Sequence, residues 1–447
     1  MKSKIYSVTE FGSIYSAEDI NIYPDNSLNE IVMEKYDFNA LCRYIEINLT
    51  DESVEDKIFK ITYKRHKRVI KARNQVGVVQ FANGLQIEIL PKIVSFEKSD
   101  NLKELHCIFL RLLSHIKDYP YIISGDAQLG ARKDYPILEV FINSYINELN
   151  RICLSGIKRD YEKNNRNLKV LKGKLLVTHN IKKNYCANNK FFCQYNEYSI
   201  NNSVNRIIKS TLVMLLSVSK SHKNRDQLYH LIELFDGIDE SKNIHNDLGK
   251  ANYTDRTYNN FKKLLIWSKL FLTNCSFTSS QGNIINTSIM FPMEKVFEDY
   301  IAYMFKQYSK GYNVTAQDSS ICLVTHKNKG KFRLRPDIVV LEKDTPVLII
   351  DTKWKLINSH DNRKNYGISQ SDMYQLYAYG KKYQATHNKT PHLVLLYPEN
   401  ENFHKQLDNF EYDGDLKLYV IPYSFNKNKD REIEQINDIL GIINLQE

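Results

Sequence analysis

Two stretches near the C-terminal end, 332–341 and 347–354, are largely apolar or β-branched and flank a polar turn at 342–346. That pattern predicts a β-hairpin. Apolar positions at helical spacing predict a helix over 293–308 before it and another over 371–383 after it, with strands at 312–324 and 392–397. The order is therefore α-β-β-β-α-β. Upstream, 58–63, 76–81 and 85–90 alternate or run apolar, with Asn83-Gly84 as a hairpin turn between the last two, so residues 1–100 read as β-rich. Helical spacing takes over at 102–116 and 137–154, the latter stopped by Gly156, and returns at 204–219, 227–235 and 258–272. The basic stretch 161–177 has little to bury and predicts a strand-rich protrusion, within a basic segment of about 157–190. A polar lead-in at 281–288 precedes the last region. The expected architecture is α/β: a β-rich N-terminal domain over 1–100, a mostly helical middle over 101–285, and a C-terminal α-β-β-β-α-β domain over 286–447.

At 447 residues the chain has ample material for the buried cores of two or three domains. No apolar run approaches ~20 residues, and Met1-Lys2-Ser3-Lys4 leads into mixed polar sequence. The expectation is a soluble, cytoplasmic protein with no membrane partner. Seven cysteines (42, 107, 153, 186, 193, 275, 322) are scattered without a Cys-x-x-Cys, so neither a disulfide frame nor a zinc site is indicated. The net charge of +10 is concentrated, because 151–190 holds eleven Lys/Arg against Asp160 and Glu162. A second basic cluster over 60–73 includes Lys64, Arg65, Lys67 and Arg68. Such patches attract phosphates by releasing counterions; a solvated surface or a face for an acidic protein is the alternative.

The hairpin carries the candidate chemistry. If its turn centres near Asp344, residues whose numbers sum to about 688 face one another, which sets Asp337 opposite Asp351 at the ~5 Å spacing of cross-strand partners. Lys353, two residues beyond Asp351, joins the same face. Two close carboxylates repel unless a cation lies between them, and hard oxygen ligands favour Mg²⁺ or Mn²⁺. Such an ion polarises a phosphoryl oxygen and lowers the pKa of bound water, while the lysine orients that water or neutralises charge on phosphate. The reaction class is phosphodiester hydrolysis. Other Asp/Glu-x-Lys triplets occur at Glu55-Asp56-Lys57, Glu240-Ser241-Lys242 and Asp415-Leu416-Lys417, but none follows a strand carrying Pro-Asp at hairpin distance. They read as solvated surface charge.

Arg335-Pro336-Asp337 and Asp351-Thr352-Lys353, in this element order, resemble the PD-(D/E)xK nuclease core. That resemblance implies a metal-binding glutamate on the first helix, for which Glu298 is the candidate and Glu294, one turn away, the rival. Gln375 and Tyr379, four apart on one helix face, resemble the Q-x-x-x-Y motif of RecB-like nucleases, where amide and phenol would orient DNA or the metal-bound water. The ordinary alternative is that Tyr374, Tyr377 and Tyr379 are core or interface aromatics. Further upstream, Gly84-Leu85-Gln86-Ile87-Glu88-Ile89-Leu90-Pro91-Lys92-Ile93, Gly156-Ile157-Lys158-Arg159-Asp160-Tyr161, Leu171-Lys172-Gly173-Lys174-Leu175 and Asn205-Arg206-Ile207 join Ser371-Asp372-Met373-Tyr374-Gln375 in resembling the McrC family over about 70–400. Lys172 departs from the arginine more usual there.

The McrC resemblance implies the nuclease subunit of a McrBC-type, 5-methylcytosine-specific restriction system. Its substrate would be double-stranded DNA and its partner a McrB-type AAA+ GTPase ring, whose hydrolysis the N-terminal part stimulates. Residues 1–285 would dock and activate, 286–400 would cut, and the protrusion around 161–174 would enter the ring. A stand-alone RecB-like nuclease, or a subunit acting chiefly in assembly and GTPase activation, are the competing readings.

Overall fold

The computed structural model describes residues 4–19, 27–48, 58–81, 83–93, 102–116, 136–186, 189–250, 260–273, 275–278, 284–426 and 429–446. The chain forms two compact units, one of Met1–Val79, Gly84–Asp134 and Met290–Glu447, the other of Gln80–Asn83 and Tyr135–Ile289. Most of the expected segments 1–100 and 286–447 thus share the first unit, and most of the expected middle segment makes the second.

The N-terminal part of the first unit is β-rich, as its alternation predicts. Glu30–Met33, Ser13–Ser16, Lys67–Ala72 and Phe59–Lys64 form a four-stranded sheet in that order, and Ile5–Thr9 pairs parallel with Gln86–Leu90. It also holds a helix that the sequence pattern does not predict, Lys35–Asn48, which buries Phe38, Leu41, Cys42 and Ile45 at spacings of three and four.

The C-terminal part is built on a six-stranded sheet with the order Asn313–Ala316, Ile338–Glu342, Thr345–Thr352, His392–Pro398, Lys417–Tyr423, Phe410–Glu411. Its central strands Thr345–Thr352, His392–Pro398 and Lys417–Tyr423 are parallel. His392–Pro398 is buried at every position, which explains its unbroken apolar run. Leu376, Tyr379 and Tyr383 of helix Gln370–His387 share a core with Val339, Ile349, Leu393 and Leu395. Helix Met293–Tyr308 buries Phe297 and Tyr300 beside Tyr423 and Phe425.

Two expected strands are each divided. The run 312–324 yields Asn313–Ala316 and Cys322–His326, and the run 332–341 yields the end of Lys329–Arg333 and then Ile338–Glu342. Left-handed backbone at Gln317 (φ 53°) and Phe332 (φ 53°) interrupts the pleat, and Pro336 has no N–H for a ladder. Cys322–His326 and Lys329–Arg333 instead pair with each other as a separate two-stranded ribbon. The expected lead-in at 281–288 becomes strand Ile284–Pro292 from its fourth residue, with 281–283 outside the described residues.

In the second unit, helices Ile137–Cys153, Ser203–Val218, His222–Leu234 and Lys262–Thr273 fall close to the predicted helical spans. Buried Glu139 accepts hydrogen bonds from Ser219 Oγ at 2.9 Å, Asn224 Nδ2 at 2.7 Å and the Ser221 amide at 3.1 Å, tying the first helix to the turn before His222. The basic segment forms a three-stranded sheet in which Phe191–Ser199 lies between Asp160–Leu168 and Lys174–Leu175. It includes a helix the pattern did not predict, Val177–Asn184. Gly173 turns at φ +70°, where a Cβ would run into the Gln194 carbonyl.

Candidate active site

The hairpin sets the site. Its two turn residues, Lys343 and Asp344, both have positive φ (45° and 68°), the backbone of a tight two-residue turn. From that turn Glu342 pairs with Thr345 and Leu341 with Pro346, numbers that sum to 687. A bulge then leaves Val347 without a partner, and from Val340↔Leu348 to Ile338↔Ile350 the sum is 688. Asp337 and Asp351 are next in line on that corrected register, so the two acids come together as the sequence arithmetic anticipates.

Asp337 is half-buried, and its Oδ2 accepts from the Thr352 amide at 2.7 Å and from Thr352 Oγ1 at 2.8 Å. Asp351 is 1% exposed. The Lys353 ammonium stands 2.5 Å from its Oδ2, and otherwise neither oxygen has a hydrogen-bond partner among the described residues. Burial, then the charges of Asp351 and Glu298, push the Asp337 carboxyl up to about 7. Burial also raises Asp351, against the pull of Lys353. For Lys353 burial works toward the neutral form, but Asp351, Asp337 and Asp372 outweigh it and hold the ammonium above its usual range.

Helix Gln370–His387, capped by the Ser369 side chain on the Asp372 amide, supplies the other side. Lys353 Nζ donates to Gln375 Oε1 at 3.3 Å, and Gln375 Nε2 donates to Tyr379 Oη at 2.6 Å. Gln375 therefore bridges lysine and phenol, while the Tyr379 ring also joins the core. Asp372, three residues before Gln375 and 3.9 Å from Lys353 Nζ, belongs to the same face and was missed, although its helical spacing could have found it.

Glu298 faces the pair closely enough to raise both aspartates. Its Oε1 accepts from Gln317 Nε2 at 2.5 Å and from Lys295 Nζ at 3.4 Å, and Arg335 Nη2 donates to Gln317 Oε1 at 2.5 Å. Glu294 accepts from Asn74 instead. Gln317 and Thr352, which hold Glu298 and Asp337, carried no signal of their own in the sequence.

The donor set suits a hard divalent ion. Asp351 presents two buried oxygens with no close partner among the described residues except the Lys353 ammonium, and its neighbour Asp337 is destabilised by like charge. Mg²⁺ binds through one or two carboxylates while keeping several waters. Among the described residues no group of three His, Cys, Asp or Glu stands at metal-ligand spacing, so Glu298 is a neighbour of the pair and not a third ligand in this arrangement. Of the other Asp/Glu-x-Lys triplets, Glu240, Lys242, Asp415 and Lys417 are exposed, and Glu55 to Lys57 lie outside the described residues. Cys42, Cys107, Cys153, Cys186, Cys193 and Cys322 form no disulfide among the described residues. No helix among the described residues is long and apolar enough to cross a membrane.

Fold and site together define a mixed α/β protein in which an acidic pair and a lysine meet at the end of a bulged hairpin. The sequence model of the McrBC 5-methylcytosine restriction system component matches residues 70–398, and the chain belongs to that family. The match spans the stretch over which the McrC-like motifs were read. Among solved structures, the chain is similar to one in the refined half-complex from the tetradecameric assembly of Thermococcus gammatolerans McrB AAA+ hexamers with bound McrC, at 21% identity and a TM-score of 0.63, covering 98% of this chain and 100% of that one. This likeness shows the fold. A second similar chain comes from the cryo-EM structure of the Thermococcus gammatolerans McrBC complex, at 22% identity and a TM-score of 0.44, covering 67% of this chain and 86% of that one. Among curated proteins none matches the chain.

Proposed function

We propose that this chain is the DNA-cutting subunit of a McrBC-type restriction complex, hydrolysing phosphodiester bonds of double-stranded DNA at Asp337, Asp351 and Lys353. The observation that carries this reading is the buried, hydrogen-bond-poor Asp351 carboxylate held against Lys353 and set opposite Asp337. Charges are seldom buried in this way without use. Asp337 and Asp351 would hold Mg²⁺ or Mn²⁺, with Glu298 near enough to contribute through water. When bound, such an ion polarises the phosphoryl oxygen and acidifies a water. Thr352 keeps the Asp337 carboxylate turned toward its partner. Lys353, held by Asp351 and Gln375, would offset the charge that builds on the scissile phosphate. Gln375 and Tyr379 orient that lysine and the attacking water. This C-terminal arrangement is read as a PD-(D/E)xK core.

The partner in this proposal is an AAA+ GTPase ring of McrB type, whose hydrolysis the rest of the chain stimulates. The docking role is supported by the basic segment over about 157–190, whose strand Asp160–Leu168, following loop and helix Val177–Asn184 with its C-cap expose Tyr161, Leu171, Ile181 and Tyr185 among lysines. Asp351→Ala or Lys353→Ala is expected to lower DNA cleavage by the assembled complex at least about a hundredfold while leaving ring binding and stimulated GTP hydrolysis unchanged. Undiminished cutting by Asp351→Ala protein would overturn the assignment. Robust cutting by the isolated chain would favour a stand-alone nuclease.

A further inference from the structure

The ribbon formed by Cys322–His326 and Lys329–Arg333 is outside the core sheet and runs directly into the site: Leu334 is buried, its amide bonds the Ile321 carbonyl at 2.9 Å, and Arg335-Pro336-Asp337 follow. Across 319–336 the chain has five Lys/Arg, at 327, 329, 331, 333 and 335, and no Asp or Glu. Every second position is cationic. The turn at Lys327-Asn328, with φ of 49° and 59°, is a tight one of the kind that keeps two strands in register. Lys327, Lys329 and Lys331 are exposed, and their side chains make no hydrogen bond or ion pair among the described residues. The two arginines nearer the site are anchored, Arg333 to the Ser319 carbonyl at 3.3 Å and Arg335 to Gln317 at 2.5 Å.

Leu323 packs the base of the ribbon against the core, whereas Phe332 stands 76% exposed in left-handed backbone, a strained conformation that the packing does not require. Alternate residues on a strand rise ~6.8 Å, so Lys329 and Lys331 share a side and are spaced at about two phosphates of a DNA strand, which carries one per ~3.4 Å of axis. The cations end two residues before Asp337. A polyanion held along the ribbon is thereby led to the carboxylate pair, which distinguishes DNA from an acidic protein docked elsewhere.

We infer that the 321–335 ribbon is a DNA-backbone grip, in which Lys327, Lys329 and Lys331 hold phosphates of the strand to be cut and Arg335 marks the end of the track at the site. This rests on the nuclease reading. The test is the affinity of the chain assembled with its GTPase partner for a short fluorescent DNA duplex, measured across a potassium chloride series in EDTA, for the parent and for the triple variant Lys327→Ala, Lys329→Ala, Lys331→Ala. Each lost phosphate contact lowers the slope of log affinity against log salt by about 0.9, so the triple variant is expected to lose roughly 2 to 3 from that slope, with ring binding and melting temperature retained. An unchanged slope and affinity in the triple variant, where the parent binds DNA, would overturn the grip alone. A parent complex that binds no duplex even at low salt would overturn both the grip and the nuclease reading.

Discussion

The indole nitrogen of Trp354 donates to the carboxylate of Glu10 at 2.6 Å, joining the residue after Lys353 to the end of the first strand of the chain. Glu10 is fully buried, also accepts from the Lys92 amide at 3.0 Å, and keeps its second oxygen without a partner. Trp354 in turn packs its ring 5.2 Å from Phe297, the neighbour of Glu298. The N-terminal sheet therefore buttresses both strand and helix of the candidate site.

Burial raises the Glu10 carboxyl to about 7 from an ordinary 4.5, although the Lys92 and Trp354 N–H groups oppose the shift. In the window between these values the folded chain holds a proton that the unfolded chain has lost. Stability from this group is therefore full below the unfolded value and declines as pH rises toward the folded one, by on the order of 3 kcal/mol. Glu10→Gln, which keeps an acceptor for Trp354, is expected to flatten that part of the decline. Urea unfolding of both proteins at about pH 5 and about pH 8 measures it, and parallel losses in the two would exclude Glu10 as the source.

Asp337 and Asp351 repel in the absence of a cation. Adding Mg²⁺ or Mn²⁺ near pH 8 is expected to raise the melting temperature, the gain reaching about 2.7 kcal/mol at a hundred times the dissociation constant, and chelation should reverse it. Asp351→Asn should abolish the gain, and Asp337→Asn should raise metal-free stability by relieving the repulsion. A metal response that survives Asp351→Asn would place the ion elsewhere.

Gln375 holds the same Lys353 ammonium that Asp351 contacts. Gln375→Ala is expected to reduce kcat for DNA cleavage by about ten- to a hundredfold with little change in KM, since a loosened lysine affects the charge that builds in the transition state and not the bound duplex. Gln375→Glu, which retains an oxygen for Lys353, should recover part of the loss. A rise in KM alone would make Gln375 a DNA-binding residue instead.

The parts of this site that could be read in the sequence are those set by strand periodicity. Asp337, Asp351 and Lys353 follow from two apolar runs and a turn, and Gln375 and Tyr379 from helical spacing. What escaped depends on single departures from periodicity or on distant contacts. Left-handed Phe332 cannot be told from an extended residue by its apolar character, so the ribbon was absorbed into the following strand. Gln317 acts because its backbone leaves the pleat and brings its amide between Arg335 and Glu298. Glu10 meets Trp354 across most of the chain, a contact that no local pattern encodes. Helix Lys35–Asn48 was overlooked because its apolar face is short and lies among strands.

The paired residues between the hairpin turn and Asp337 make chain length there a chemical variable. Excising Val347 itself would leave a ladder of ordinary regularity with Asp337 still across from Asp351, but losing one of the paired residues 338–340 would set Asp337 across from Ile350, and the two acids would then project from opposite sides of the sheet. Loss of one such residue, normally among the mildest edits a gene can undergo near a loop, would there be equivalent to removing one of the two carboxylates proposed to hold the metal.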